Sequence, residues 1–442
     1  MPQTPSPGSV VGRAVGAFYG WYVVAALFFS LFLGMGVFLG FGVFVETWEE
    51  EFNVSVGTIS IAAAIGVLIN GVSAPLVGRL FDRFGGRYVV LFSLTGVGLG
   101  CLAMSQANSL VGVIVLYGII ISFAAAGISP QASGTIVARW FHRRRGAAIS
   151  VFSVGASFGG LLMIPFLTYL RIATDWQTAW LVIGLIILAT GVPLVWLIVR
   201  NQPSDLNLSP DGDPTPIGSG AAMTVTVAPL EAEAWRDSLH HAPMWQLLLT
   251  FVVCGVTTAS IAVHFIRFAS DEGVSAGTAA LAFGALSAIN AIGVLIVGYL
   301  SDRLQRKNLL AGVYVVRGIA FICLIILPGS TGIWVFALLG GASWLPTAPL
   351  TQALTADVFG LRHLGILNGL IFMSHQLGGA LAVYLFGVAF DTWGSYDVAF
   401  AVCVVLLAAA ALGSFSIQEK QYSVRYAAQP VPAPVPVSAG GD

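Results

Sequence analysis

Among the 19 Lys and Arg and 20 Asp and Glu side chains of this 442-residue chain, only Arg317 lies inside an apolar run long enough to cross a bilayer. The histidines in such runs are His264 and His375. An ionisable group in the middle of a span costs about 2.5 kcal/mol or more, so each of the three is a candidate for chemistry. Arg317 is permanently charged and can grip a carboxylate with two parallel N–H groups; the competing reading is an internal ion pair with Asp357 or Asp302. His375, beside Gln376, follows Gly365 by about 15 Å of helix, which puts it near the midplane. Histidine is the side chain suited to carrying a proton near neutral pH, and no span carries a carboxylate. His375 is therefore the candidate proton carrier and substrate contact, the alternative being a neutral imidazole bridging two helices. His264 stands one turn before Arg267, an outer pair that attracts anions unless Asp271 occupies the arginine.

Neutral polar groups extend the set. Asn70 and Asn290 sit at matching depths in two different runs and could either bind a substrate between them or tie helices together. Gln131, after Pro130, has a similar depth and could instead satisfy a carbonyl freed by the proline. Phe32 and Trp344 are the aromatic candidates near the midplane. Nothing in the spans forms a Ser/His pair, paired aspartates or HExxH, and no GxxxxGK[ST] loop is present. Cys101, Cys254, Cys323 and Cys403 lie in apolar runs without CxxC spacing or a neighbouring histidine, the pattern of packing residues rather than of a disulfide or metal site. The chain is read as a non-enzyme without cofactor or metal.

The elements that hold these groups follow from composition: 57% of residues are apolar and 9% charged, which excludes an ordinary soluble protein. Apolar runs fall at about 18–45, 57–78, 88–106, 110–138, 146–170, 176–199, 244–266, 276–300, 309–328, 331–356, 365–390 and 398–417. Each reaches the roughly 20 residues of a spanning helix, and continuous rather than alternating apolarity excludes a barrel. The expected fold is all-α, twelve transmembrane helices in two six-helix halves. If the N-terminus is cytoplasmic, sixteen of the 19 basic residues face the cytoplasm, as positive-inside topology requires; the exceptions are Arg171, Arg267 and Arg317, and the first outer loop is acidic (Glu46, Glu49, Glu50, Glu51). Both termini are then cytoplasmic, in the cytoplasmic (inner) membrane suggested by an Arg-over-Lys and Ala/Gly/Val bias. Residues 1–17 read as a cytoplasmic N-terminus without a signal peptide, 18–200 as the first half, 201–243 as a Pro/Asp/Ser/Gly-rich cytoplasmic linker ending in a surface helix around Trp235 and Leu239, 244–417 as the second half, and 418–442 as a disordered cytoplasmic tail. A net charge of −1 without a basic stripe disfavours nucleic acid. The expected partners are the bilayer, a small-molecule substrate and protons, with the chain working as a monomer.

A 220-residue shift superimposes Val54, Ser55, Gly57, Thr58, Ile69, Asn70, Gly78, Leu80, Asp82 and Arg83 on Val274, Ser275, Gly277, Thr278, Ile289, Asn290, Gly298, Leu300, Asp302 and Arg303. A 219-residue shift pairs Pro130, Arg143, Gly146, Gly159 and Gly160 with Pro349, Arg362, Gly365, Gly378 and Gly379. Apolar composition alone would not match polar positions. Parallel six-helix repeats are the build of alternating-access carriers, with the site between the halves.

The segment from Gly78 to Arg87 (GRLFDRFGGR) resembles the signature loop of the major facilitator superfamily, and Gly298 to Lys307 is its degenerate copy. The resemblance runs from Trp21 to Ile417. It implies a gate in which Asp82 faces the N-terminus of the eleventh helix near Gly365, with Arg83, Arg87, Asp302 and Arg303 in the two loops; the alternative is that these charges only anchor topology. Arg139 to Ala148, running into Gly155, Gly159 and Gly160, resembles the monocarboxylate transporter and oxalate/formate antiporter branch. That branch carries an arginine in its eighth helix, and this chain has none there. The implied function is gradient-driven transport of a small organic anion, a monocarboxylate, by alternating access with proton coupling. Export of amphipathic or neutral compounds, or a transporter-like membrane receptor, are the alternatives.

Overall fold

The computed structural model describes residues 18–212 and 228–426. Twelve helices of spanning length form the bundle: α1 (Gly20–Phe52), α2 (Thr58–Phe84), α3 (Gly86–Met104), α4 (Leu110–Trp140), α5 (Arg145–Ala173), α6 (Trp176–Ile198), α7 (Ala242–Asp271), α8 (Gly277–Ser301), α9 (Arg306–Ile326), α10 (Gly329–Phe359), α11 (Leu364–Trp393) and α12 (Asp397–Phe415). Two apolar cores pack the first six and the last six helices, the first also taking in Ala353, Ala356 and Leu364 of the second half. The repeat is visible in local chemistry. Ser55 accepts the N–H of Thr58 at the start of α2, and Ser275 accepts that of Thr278 at the start of α8, each satisfying a helix-end donor.

The halves meet along two seams, α2 on α11 and α5 on α8, and both are glycine contacts. A Cβ at Gly78 would run into the Gly365 carbonyl, and one at Gly365 into that of Gly78; at the other seam a Cβ at Gly146 would meet the Ser301 hydroxyl first and one at Gly298 the Ser150 hydroxyl, with the opposing glycine carbonyls 2.9 and 3.0 Å away. Such close approach of backbones needs glycine. Four of the glycines matched by the repeat, Gly78, Gly146, Gly298 and Gly365, therefore mark the seams.

Two helices are interrupted near mid-depth. In α4 a tight turn at Ala126–Ile128 ends in Ser129, whose hydroxyl caps a new helical segment, Pro130–Trp140. In α10 the segment Gly329–Ser343 stops before Pro346, and Thr347–Phe359 continues. Proline has no N–H and leaves a carbonyl unpaired one turn earlier. Broken backbone at this depth is tolerated where it lines a cavity or is held by other groups.

Beyond the bundle, two expectations are corrected. The tail is ordered up to Tyr426: buried Glu419 accepts the N–H groups of Arg306 and Lys307, and Arg425 donates to the Asp302 and Leu304 carbonyls. Both ends of the linker are also fixed. Asp211 accepts from the N–H groups of His142 and Arg143, Leu230 donates to the Val358 carbonyl, and Trp235–His240 forms a 3-10 turn rather than an α-helix. Composition missed these segments because helix-end groups hold them together with a few apolar side chains, Leu206, Leu208, Leu230, Leu239 and Tyr422, that pack against the two cores. The cytoplasmic N-terminus expected at 1–17, the middle of the linker at 213–227 and the tail at 427–442 lie outside the described residues.

Candidate functional site

A cavity of about 190 Å³ lies between the halves. The interruption of α4 places Ser129, Pro130 and Gln131 on its wall; α2 contributes Asn70, α11 contributes Phe372, His375 and Gln376, α7 contributes Phe251 and Cys254, and α10 contributes Thr347. His375 Nδ1 lies 3.1 Å from Gln376 Oε1, and Nε2 lies 3.4 Å from Thr258 Oγ1. Phe251 and Phe372 flank the ring, with centroids 4.9 and 6.1 Å away. Gln131 is 4% exposed, and its Oε1 has no partner among the protein atoms. Four of the candidates, His375, Gln376, Asn70 and Gln131, thus share one cavity.

The repeat-related amides hold the two broken helices. Asn70 Nδ2 donates 3.1 Å to the Ser122 carbonyl of α4, while Asn290 Oδ1 accepts the Leu345 N–H at the interruption of α10, 2.9 Å away. Asn290 Nδ2 also reaches Ser157 of the other half at 3.3 Å.

Arg317 stands directly behind the wall, with no exposed surface. Its guanidinium donates to the carbonyls of Ser343 and Trp344, the groups freed by the break in α10, and to Thr257 Oγ1 at 3.2 Å and Cys254 Sγ at 3.4 Å. The ion pair expected with Asp357 or Asp302 is corrected: both acids are taken by other arginines. Cys254 faces Thr347 Oγ1 at 3.1 Å and is the thin partition between guanidinium and cavity.

Three other candidates sit elsewhere. His264 bridges Tyr396 Oη and the Val383 carbonyl inside the second half, and Arg267 pairs with Asp271 at 3.2 Å. Phe32 stacks on Phe29 away from the cavity wall. Trp344 offers its carbonyl to Arg317 while its ring packs on Phe336. His264 was placed correctly along its helix, but its rotation about the axis turns it into the half rather than toward a vestibule.

One end of the bundle is closed by charge. Asp82 accepts the N–H groups of Gly365 and Ile366 at 2.9 Å each, and Asp302 accepts those of Gly146 and Ala147 at 2.7 and 2.9 Å. Each is a carboxylate on the positive end of a helix in the opposite half. Arg139 lies 3.8 Å from Asp82 and donates to the Leu361 carbonyl. Asp357, fully buried, binds Arg145 of the first half and Arg306 of its own. Arg83, Arg87 and Arg303 do not join this network. Arg87 grips the end of α6 through the Trp196 carbonyl, and Arg83 and Arg303 lie over Phe84 and Tyr299. Sequence reading missed Arg139, Arg145, Arg306 and the position of Asp357. The signal was available, because Gly146 matches Gly365 and Asp302 matches Asp82, so the repeat operation predicts the second lock from the first.

The Major Facilitator Superfamily profile matches residues 24–383. The chain belongs to the major facilitator superfamily. It is thus a multi-pass membrane transporter with a small-molecule substrate, not an enzyme. This superfamily member is similar to an uncharacterized MFS-type transporter, YcxA, of Bacillus subtilis (strain 168), at 27% identity over 82% of this chain and 86% of the relative. It is similar to monocarboxylate transporter 12 of Rattus norvegicus at 24% identity over 87% and 82%, and to the hexuronate transporter of Escherichia coli (strain K12) at 24% over 94% and 98%. The fold resembles that of the transporter FucP in its outward conformation, with a TM-score of 0.66 at 17% identity, covering 89% of this chain and 98% of FucP.

Proposed function

We propose that this transporter moves a small organic anion, a monocarboxylate in the first instance, through the central cavity, with His375 carrying a proton alongside it. The observation that carries the reading is Arg317. Among the described residues its partners are carbonyls, a hydroxyl and a thiol, with no carboxylate. A buried guanidinium without a protein counter-charge favours an anion in the adjoining cavity. Similarity to monocarboxylate transporters supports the same class. In this reading Asp82 and Asp302 are the gate charges, and the basic end faces the cytoplasm with both termini, following the arginine distribution. The chain acts as a monomer in the cytoplasmic membrane, and the 201–243 segment joins its halves.

A second reading is export of amphipathic or neutral compounds, favoured by the apolar wall of Met35, Phe38, Phe251 and Phe372. Internal pH in proteoliposomes separates the two. Monocarboxylate addition acidifies the lumen above the protein-free control if the first holds. His375→Gln then removes pH-driven uptake and spares exchange. No response to any carboxylate from folded protein overturns the first reading and makes counterflow of neutral compounds the deciding assay.

A further inference from the structure

Two helices that line the cavity, α10 and α11, continue their inward faces toward the basic end as polar side chains, and a third, α4, continues as a glycine. On α10, Thr351 and Gln352 follow Thr347 and Ala348 by one turn; on α11, Asn368 lies two turns before His375 on the same face. Thr347, Ala348 and His375 line the cavity. Gln352 rests against Gly134 of α4, where a Cβ would collide with its amide oxygen, and Gly134 is three residues beyond cavity-lining Gln131. Counting along each helix from the basic end puts Gly134, Gln352 and Asn368 in one layer, about 6 to 10 Å deep, with the cavity above and Asp357 and Gly365 below.

Thr351, Gln352 and Asn368 are 2, 2 and 1% exposed, yet the Thr351 hydroxyl and both polar atoms of each amide have no hydrogen-bond partner among the protein atoms. Buried amides are nearly always paired, and replacing them with apolar side chains would pack at least as well. Five unpaired polar atoms in one layer, on the faces that line the cavity one turn above, are donors and acceptors kept for something other than the closed fold.

We propose that Thr351, Gln352 and Asn368 form a second substrate station on the basic side of the central cavity, hidden while the gate is closed and exposed when it opens. The station has no charge, so it takes the hydrogen-bonding head of the solute, here a carboxylate, by neutral donors as it leaves the field of Arg317. Weak neutral contacts there let the solute go, whereas a second arginine would retain it. The carboxylate rests on the proposed function; the station does not.

The test has two arms. In protein with all four cysteines replaced by serine, Asn368→Cys is treated with an impermeant thiol reagent from the basic side, the side reported by Arg83→Cys. We expect little reaction with the gate intact and about fivefold faster reaction when Asp82→Asn is added. If His375→Cys becomes reachable from that side in the same gate variant while Asn368→Cys stays unreactive, the station is overturned, because the residue is then permanent packing. In the second arm, L-lactate turnover in proteoliposomes falls at least tenfold in Gln352→Leu and Asn368→Leu, and lactate affinity at the central cavity changes less than twofold. Turnover within twofold of the parent overturns the station. Failure of the parent protein to move lactate or any other carboxylate overturns the anion reading alone, and the labelling arm still decides the station.

Discussion

The two halves are built from one repeat and use the same lock, but they stabilise their broken helices differently. Asp82 reaches across to the start of α11, and Asp302 reaches across to the start of α5, with nearly equal geometry. At mid-depth the equivalence ends. The interruption of α4 is held by neutral groups, with Ser129 capping the new segment and Ser133 donating to the Gly127 carbonyl. The interruption of α10 is held by a charged residue, Arg317, and position 97, which the repeat pairs with it, is Val97 in α3. The buried Arg145–Asp357–Arg306 cluster joins the halves through one acid only: Asp357 of the second half binds Arg145 of the first and Arg306 of its own, and the position matching Asp357 in the first half is Ala138. Duplication preserved what two halves must do together, and the mid-depth charge stands in one of them. A carrier with identical halves would bind a solute symmetrically; this one presents a single positive side.

The comparison breaks most easily at Asp357. Asp357→Ala leaves two buried guanidinium groups without their carboxylate, a loss of about 3–5 kcal/mol for a broken buried pair. We expect a large fall in melting temperature in detergent, where Ala138→Ser, at the matching position of the first half, has a far smaller effect. Next is Arg317. Arg317→Gln removes charge-assisted bonds worth about 1.5–3 kcal/mol each before relaxation, and Arg317→Lys restores little because an ammonium lacks the fork that spans two carbonyls. Equal melting temperatures for the Lys variant and the parent would show that charge alone matters there.

The matched locks give a smaller and more symmetric effect. Asp82→Asn and Asp302→Asn each weaken a carboxylate at a helix N-terminus by about 1 kcal/mol. Both should raise cysteine accessibility of the central cavity from the basic end about fivefold, Asp302→Asn somewhat more because Asp302 also holds Arg306 at 3.2 Å. A tenfold disparity in the opposite direction would refute the equivalence. The smallest effect is expected at the caps: Ser55→Ala and Ser275→Ala each cost about 0.5–1 kcal/mol, and the two losses should agree within the error of thermal unfolding.

Much of this was legible in the chain. The repeat pointed to Gly78, Gly146, Gly298 and Gly365, and these four positions are the seams. His375 and Gln131 were placed at the right depth by counting residues, and both reach the cavity. What failed was rotation and partner choice. His264 was chosen for its place one turn before Arg267 and Phe32 for its depth, and both point into their own half. Asp357 lay just past an apolar run and was expected as a partner for Arg317, although its helix continues to Phe359, buries it completely and gives it to Arg145 and Arg306. Glu419 and Arg425 were assigned to a disordered tail because composition counts apolar area, while their role is to satisfy the ends of α9 and the loop before it.

The amino-acid sequence by itself determined the number of spans, their two-fold repetition and the side on which charge collects. Those properties depend on the length of apolar runs against the thickness of a bilayer and on the identity of residues a fixed number apart. Tertiary structure alone decided which polar groups share a space. Along one helix every face is available at every depth, and the choice between cavity, seam and packed interior is made by the neighbouring helices. Arg317 is the clearest case. Its charge was plain from the sequence, and only the break in α10, brought against it by folding, determined that carbonyls and a thiol would hold it beside the cavity in place of an acid.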